Sequence, residues 1–509
     1  MKLLRKEIET LPENLRPFAY HFRITDDIKN LIYKGMIDRN RFEFEINLKG
    51  ESVILTKGES FRFGSNEITV ITPLGVKLKI PYSVFNSIDY DDIINIISGY
   101  FVCNVNVNYK NTRFGSKSEY VVNGIKTVSK KIDTEEAKKL IENSNPIKAL
   151  LDIFGYQYDE KMAYLLLIRM FPIVSNSNII QLTLTNTGKT FFSYRVADTF
   201  NFYYSTTGIT EAKLIYNSVT NTYGIVYTKN GLIIDEVFTV KELRSMEENI
   251  LSGMENGIWT KSSGKVINLP IRKIPIIFFG NLIGNILTEE NSRVVVGDLL
   301  KSELKLKNVN AFLDRIAITD IFTLPINANS IVKDYCYSNS TLAGWVELIK
   351  LEYQRKLKET EIRISDYKSE ISIGGYRLSA GRMLRYTRQL KAYLMAVLGK
   401  DLVPSDEDLF NAICGSNIYS MLNLKPLLED SNNPDNQNDD SNYNSETHKY
   451  LLDTERKILS IINDYGGQVD IDVISNETGL SKGIIYNTLY SLENKGMITL
   501  EGKTVKIRR

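Results

Sequence analysis

The sequence predicts a multidomain α/β protein, and three observations carry that prediction. Apolar and polar residues alternate before residue 130, short apolar strands alternate with helical stretches from Ile179 to about Val332, and a polar tract from Glu429 to Glu446 sets off a last small module. At 509 residues the chain also exceeds what one hydrophobic core usually organises. The expected arrangement is a β-rich domain over residues 1–130, an α/β core over 131–330, a helical lid over 331–428, a disordered linker over 429–446 and a compact module over 447–509.

Within the first region, RFEFEINL (Arg41 to Leu48), EITVITP (Glu67 to Pro73), VKLKIPY (Val76 to Tyr82) and FVCNVNVNY (Phe101 to Tyr109) each alternate like half-buried strands. An oligonucleotide-binding barrel and a sandwich both satisfy that pattern. From Thr134 the period lengthens, and TEEAKKLIENS and DEKMAYLLLIRMF place apolar residues three and four apart, as helices do. Two further helical segments, around IKLEYQRKL and GRMLRYTRQLKAYLMAVL, lead to EDSNNPDNQNDDSNYNSE. That tract is too poor in apolar side chains to offset the entropy of ordering it, so a flexible tether is expected.

Composition removes several classes of function. A hydrophobic fraction of 43% with 24% charged residues is ordinary for a soluble globular protein, and a net charge of +2 means that a polyanion must be met by local patches. Cys103, Cys336 and Cys414 lie far apart, and His21 and His448 have no partners at ligand spacing, so neither a disulfide framework nor a zinc site is expected. Charges interrupt every apolar run of the N-terminus, and no stretch approaches the roughly 18 apolar residues of a membrane span. These features predict a cytoplasmic protein without membrane partners. The Tyr, Ile, Asn and Lys bias points to a mobile element or virus of a thermophilic archaeon.

The segment IIQLTLTNTGKTFF, Ile179 to Phe192, reads as a buried strand, a small-residue loop and the start of a helix. TLTNTGKT fits a phosphate-binding loop, except that Thr183 stands where the first Gly is usual. Backbone amides around Asn186, Thr187 and Gly188 are expected to cradle phosphates, Lys189 to reach the β and γ phosphates of ATP, and the Thr190 hydroxyl to bind Mg²⁺. About forty-five residues on, GLIIDEVF ends a second apolar run in two acids. Asp235 suits the metal's water shell, and Glu236 suits polarising the attacking water. A third run, IPIIFFGNL, ends in Asn281, whose amide can position that water. Beyond AFLDRIAITDIF, Arg315 is placed to act as an arginine finger in a neighbouring subunit's site.

Taken in order, TNTGKT, YYSTTGITEAKLIYN, LIIDEVF, SGMENGIWTKSSGKVINLPIR, FFGNL, FLDR and SAGRMLRYTRQL resemble the AAA+ core of minichromosome maintenance helicases and the related Lon-like AAA+ proteins of BREX phage-defence systems. The resemblance covers roughly Pro146 to Lys400. It implies an AAA+ ATPase core with helical lid, working as a ring of identical subunits, a hexamer in the helicases, on DNA. It further implies a channel-facing insertion between Thr207 and Asn230 and a hairpin over Gly257 to Leu269, with Lys261 and Lys265 near a tip directed at DNA. The family's tip lysine falls on Ser262 here. Arg382 matches the second-sensor arginine that reaches the nucleotide in trans, with Arg385 and Arg388 as alternatives one turn away. The helicases' zinc ribbon is missing, since no cysteine pairs exist.

From Thr454 the sequence reads as helix, short helix, turn at Gly479, third helix and a two-stranded wing turning at Glu501 and Gly502. This resembles winged-helix domains, with SKGIIYNTLYSLENKGMI as the most specific part. Ile458, Ile461, Ile474, Leu480, Ile485, Leu489, Leu492 and Ile498 supply one small core. The third helix places Lys482, Tyr486 and Asn487, beside Ser481, near the major groove, and Lys503 lies in the wing. The leading expectation is therefore an ATP-dependent DNA translocase or helicase. Two others stand beside it: a DNA-encircling defence or remodelling factor that does not unwind, and a transcriptional regulator switched by its ATPase.

Overall fold

In the computed structural model the alternating segments near the N-terminus build one six-stranded sheet. The structure describes residues 2–4, 39–72, 75–85, 93, 96, 100–112, 115–127, 132–219, 222–260, 271–282, 291–364 and 370–429, then 458–459, 461–462, 465, 467–478, 485, 488–489, 492, 498–501 and 504–507. The chain divides into two units, Met1–Glu429 and Asp430–Arg509. The linker expected over 429–446 lies outside the described residues, apart from Glu429.

In the first unit, β1 is Lys2–Leu4 and α1 is Arg39–Lys49. The helix corrects the strand expected over Arg41 to Leu48. Phe42, Phe44, Ile46 and Leu48 fit a period of two, yet only Phe42 and Ile46 are buried, four residues apart, while Phe44 and Leu48 are 68% and 71% exposed. An Arg39–Glu43 ion pair with the same spacing adds to the helix. The strands that follow are β2 (Glu51–Lys57), β3 (Ser60–Phe63), β4 (Glu67–Ile71), β5 (Lys77–Pro81), β6 (Tyr100–Thr112) and β7 (Gly115–Thr127), in the order β2-β6-β7-β5-β4-β3. All pair antiparallel except β5 with β7. Among the described residues nothing joins β2 to β3, the closure a barrel needs. Ile68, Leu78, Ile80, Phe101, Val105 and Val122 are fully buried in a core of the sheet's own.

Three helices follow: α2 (Thr134–Asn143), α3 (Pro146–Phe154) and α4 (Glu160–Ser175). Each has the N-cap that its sequence supplies: Asp133 accepts from Glu136 N, Asn145 from Ile147 N and Lys148 N ahead of Pro146, and Asp159 from Met162 N. Helix α4 is apolar nearly all round, which marks a helix buried on every side rather than a surface one.

The central sheet then forms from β8 (Ile179–Thr183), β9 (Phe202–Ser205), β12 (Gly231–Ile234), β13 (Ile276–Asn281) and β14 (Ile318–Phe322). Between β9 and β12 lies a short hairpin, β10 (Tyr216–Asn217) with β11 (Thr222–Tyr223). Every pairing in the central sheet is parallel, in the order β14-β8-β13-β12-β9. Continuous runs such as Ile179–Ile180 and Ile276–Phe279 are what a sheet covered on both faces requires. Register aligns the carboxyl ends of the three middle-to-edge strands, with Thr183 opposite both Asn281 and Phe322. In open α/β sheets, ligands bind in the crevice outside such carboxyl ends.

Helix α5 (Lys189–Phe200) leaves the end of β8, α6 (Glu247–Asn256) precedes β13, and α7 (Ser292–Ser302) and α8 (Val309–Asp314) precede β14. After β15 (Tyr335–Tyr337), which pairs with β1, come α9 (Asn339–Glu359), the hairpin β16 (Glu370–Ile373) and β17 (Tyr376–Ser379), α10 (Ala380–Leu398) and α11 (Asp406–Ile413). Trp345, Leu390, Tyr393 and Leu394 of α9 and α10 belong to the same hydrophobic cluster as Ile180 and Phe278 of the sheet. The helical region therefore shares its core with the central sheet. Arg293 ties them further: fully buried, it donates to the carbonyls of Ile413, Leu313, Ile316 and Ala317.

The second unit, taken by itself, contains β18 (Gln468–Asp470), α12 (Ile471–Thr478), β19 (Ile498–Glu501) and β20 (Thr504–Ile507), with the three strands in the antiparallel order β18-β20-β19. Ile458, Ile474, Ile485, Leu489, Leu492 and Ile498 share one core, with Ile461 partly buried against it. Strand β18 was not anticipated from the sequence, because three residues give alternation too little length to register.

Candidate nucleotide site

At the end of β8 the chain turns through Leu184–Thr187 into α5. Asn186 and Gly188 adopt left-handed backbone, with φ of 61° and 74°. At Gly188 a Cβ would also press on Tyr156 Oη at 2.8 Å, so both conformation and space favour glycine. The Asn186 carbonyl accepts from Ala328 N at 2.9 Å, which braces the loop from the segment after β14.

Lys189, the first residue of α5, is only 8% exposed. Its Nζ donates to Asn281 Oδ1 at 2.8 Å, to Thr183 Oγ1 at 2.9 Å and to the Leu184 carbonyl at 3.3 Å. Thr183, in the position where glycine is usual, thus contributes a hydroxyl that holds the lysine and also contacts Thr187 Oγ1 at 2.9 Å. Asn281, expected to position water, is here the acceptor that fixes Lys189. Burial first, then the Arg169 guanidinium, lowers Lys189 to about 8.

Asp235 follows β12, and each of its carboxylate oxygens receives one hydrogen bond. Tyr204 Oη donates to Oδ2 at 2.9 Å and the Glu236 amide to Oδ1 at 3.0 Å. Glu236 is exposed and has a left-handed backbone, with φ 51°, a conformation a glutamate rarely takes outside a constrained site. Thr185 to Phe191, Asp235, Glu236, Asn281, Ala328 and Asn329 line one cavity of about 380 Å³. The sequence-assigned Asn186, Thr187, Gly188, Lys189, Thr190, Asp235, Glu236 and Asn281 are thereby brought together.

Two groups were missed by sequence reasoning. Arg169 of α4 lies fully buried behind the loop and donates to the Thr187 carbonyl at 2.8 Å, to Thr187 Oγ1 at 3.3 Å and to Gln181 Oε1 at 2.7 Å. Gln181 Nε2 in turn donates to buried Asp320 of β14, which also accepts from Tyr164 of α4. Burial lowers Arg169 to about 10 and pushes Asp320 up. The second group is Tyr204 of β9, whose phenol burial and then the Asp235 carboxylate push upward, so it remains a hydrogen-bond donor. An arginine inside the apolar run MAYLLLIRMF was the available signal for Arg169. Nothing local marks Tyr204.

Arg315 and Arg382 do not line this cavity. Both pair with Glu255 at the end of α6, and Arg382 pairs with Asp314 as well. Arg315 Nη1 donates to the Ala311 carbonyl at 2.6 Å, and its buried Nε has no partner among the described residues. Lys273, near Arg385 and Arg382, is lowered by burial and then by those two charges. Lys261, Lys265, Lys482, Tyr486, Asn487 and Lys503 lie outside the described residues.

The cavity fits a nucleoside triphosphate with magnesium. Loop amides, a lysine already short of counter-charge, one hydroxyl and one carboxylate are the donor set that Mg²⁺ uses when phosphates and water complete its shell. Residues 116–369 match the family described as Lon-like protease BrxL-like, ATPase domain. This stretch is a BrxL-like ATPase domain. Its match begins inside β7 of the N-terminal sheet. The chain is also similar to viral proteins. Uncharacterized protein 440 of Sulfolobus islandicus rod-shaped virus 1 is 30% identical over 286 residues, covering 52% of this chain and 62% of that protein. Uncharacterized protein ORF425 of Acidianus filamentous virus 2 is 29% identical over 210 residues, covering 40% and 49%. Uncharacterized protein ORF426 of Acidianus filamentous virus 1 is 29% identical over 293 residues, covering 53% and 65%. The chain thus spans about half to two thirds of the length of these relatives. No helix among the described residues is long and apolar enough to cross a membrane.

In the ATPase domain, Mg²⁺ when bound supplies charge neutralisation for the phosphates. Thr190 and Asp235 would hold it, Lys189 would face the phosphates, and Glu236 presents an exposed carboxylate that would be free to take a proton from water.

Proposed function

We propose that the protein is an ATP-driven DNA translocase or helicase that works as a ring of identical subunits, hexameric as in minichromosome maintenance helicases. The observation that carries this reading is the separation of the two arginines from the cavity. Arg315 and Arg382 stand together on Glu255, away from Lys189, Thr190, Asp235 and Glu236. A pair of cations held ready but remote from the chain's own phosphate site suits a second subunit's nucleotide, because transition-state charge on the γ phosphate requires such a group. DNA then contacts the segment that carries Lys261 and Lys265, and the C-terminal unit, whose helix and three-stranded ladder agree with a winged helix, provides a second contact through Lys482, Tyr486, Asn487 and Lys503.

The test measures ATP turnover with and without DNA, and strand displacement, for the wild type and for Lys261→Ala with Lys265→Ala. The proposal expects displacement that the double substitution abolishes while basal turnover persists. A second reading draws on the BrxL-like match: a ring that encircles duplex DNA without unwinding it. DNA-stimulated turnover with no displacement by the wild type selects that reading.

A further inference from the structure

The Tyr204 hydroxyl sits against the carboxylate assigned to the metal. It donates to Asp235 Oδ2 at 2.9 Å. Its placement follows from the sheet, since Tyr204 of β9 lies opposite Ile233 of β12, and the Asp235 amide donates to the Ser205 carbonyl at 2.8 Å. The ring is also gripped from α5. Tyr194, one turn beyond Thr190, packs edge-on against it with ring centroids 5.0 Å apart.

The direction of these bonds matters. A phenol has one proton, and here Asp235 accepts it. Asp235 is held at both oxygens, by Tyr204 and by the Glu236 amide, which fixes the plane of its carboxylate. Groups that fix a ligand in this way commonly change metal affinity by about 10–100-fold when removed.

We propose that Tyr204 is a positioning residue that orders the Asp235 carboxylate for the divalent cation accompanying the nucleotide. The inference rests on the reading of this cavity as an ATPase site. Its test uses the full chain and Tyr204→Phe, which removes one oxygen and keeps the ring against Tyr194. Two affinities are measured: that for a fluorescent ADP in EDTA, and that of the ADP-loaded protein for Mn²⁺ by electron paramagnetic resonance. The expected result is ADP affinity in EDTA within about twofold of wild type, Mn²⁺ affinity weaker by about tenfold, and a matching rise in the Mg²⁺ concentration for half-maximal turnover. Unchanged Mn²⁺ affinity in Tyr204→Phe overturns the proposal, as does a loss of ADP affinity in EDTA equal to the loss for Mn²⁺, which marks a general disturbance of the site. A wild-type chain that binds no ADP in either condition overturns the ATPase reading itself.

Discussion

Arg169 Nη1 donates to the Thr187 carbonyl oxygen at 2.8 Å, joining a buried helix to the middle of the phosphate loop. Thr187 accepts at two atoms and Gln181 at one, and a lysine cannot reproduce that planar fork. Each buried acceptor left without its donor costs about 1–3 kcal/mol. Arg169→Lys is expected to weaken nucleotide affinity by about tenfold, equivalent to about 1.4 kcal/mol, and to lower the melting temperature. Equilibrium titration with a fluorescent ADP and a thermal melt check both, and wild-type affinity in the variant removes Arg169 from loop positioning.

Lys189 and Glu236 are given separable roles by the proposed function, since Lys189 is buried beside the loop and Glu236 is exposed at the cavity. Lys189→Ala is expected to lower nucleotide affinity. Glu236→Gln is expected to keep that affinity while reducing turnover by about 10²–10⁴-fold, the usual contribution of a general base. Measured turnover near wild type in Glu236→Gln contradicts the assignment.

The lowered Lys189 gives a pH dependence of defined sign. In the free protein the amine loses its proton as pH rises through about 8, whereas in the unfolded chain it does so near 10.5. Between these values the folded form binds fewer protons, so this group's cost to stability is full below about 8 and is relieved above it. Phosphates restore the charge, so nucleotide binding takes up a proton in that window. Affinity is expected to be flat below about 8 and to fall above it. Calorimetry at a pH above 8, in buffers of different ionisation enthalpy, reads the uptake directly, and the uptake is expected to vanish in Lys189→Ala.

Arg315 acts across a subunit boundary under the proposed function, which makes complementation possible. Arg315→Ala is expected to abolish hydrolysis and to leave the ADP affinity of its own cavity unchanged. Mixed with Lys189→Ala chains, it is expected to recover part of the activity through hybrid sites. Turnover measured across mixing ratios with no recovery at any of them counts against a shared site.

The phosphate loop and the acidic pair were legible in the sequence because each is a local pattern, a strand ending in residues of fixed chemistry. Arg41 to Leu48 misled because Phe42 and Ile46 satisfy a strand and a helix equally, and only burial decides between them. Tyr204 was illegible for a different reason: its proximity to Asp235 exists only once β9 and β12 pair in register. Arg382 was singled out by resemblance, but its shared partner Glu255 could not be, since the pair joins residues 127 positions apart.

Strand β1 sets Leu3 opposite Cys336, so a three-residue ladder closes nearly the whole distance from the N-terminal sheet through the ATPase core. Closing so long a loop carries an entropic cost that a few hydrogen bonds and the Lys2 ammonium over the Tyr335 ring can meet only after the rest is in place. Folding order follows from that: the sheets collapse on their own cores, and the clasp at Lys2–Leu4 fastens last. It should also be the first contact to open under denaturant, exposing the amides of Tyr335 to Tyr337 to hydrogen exchange while the fully buried strand β8 stays protected.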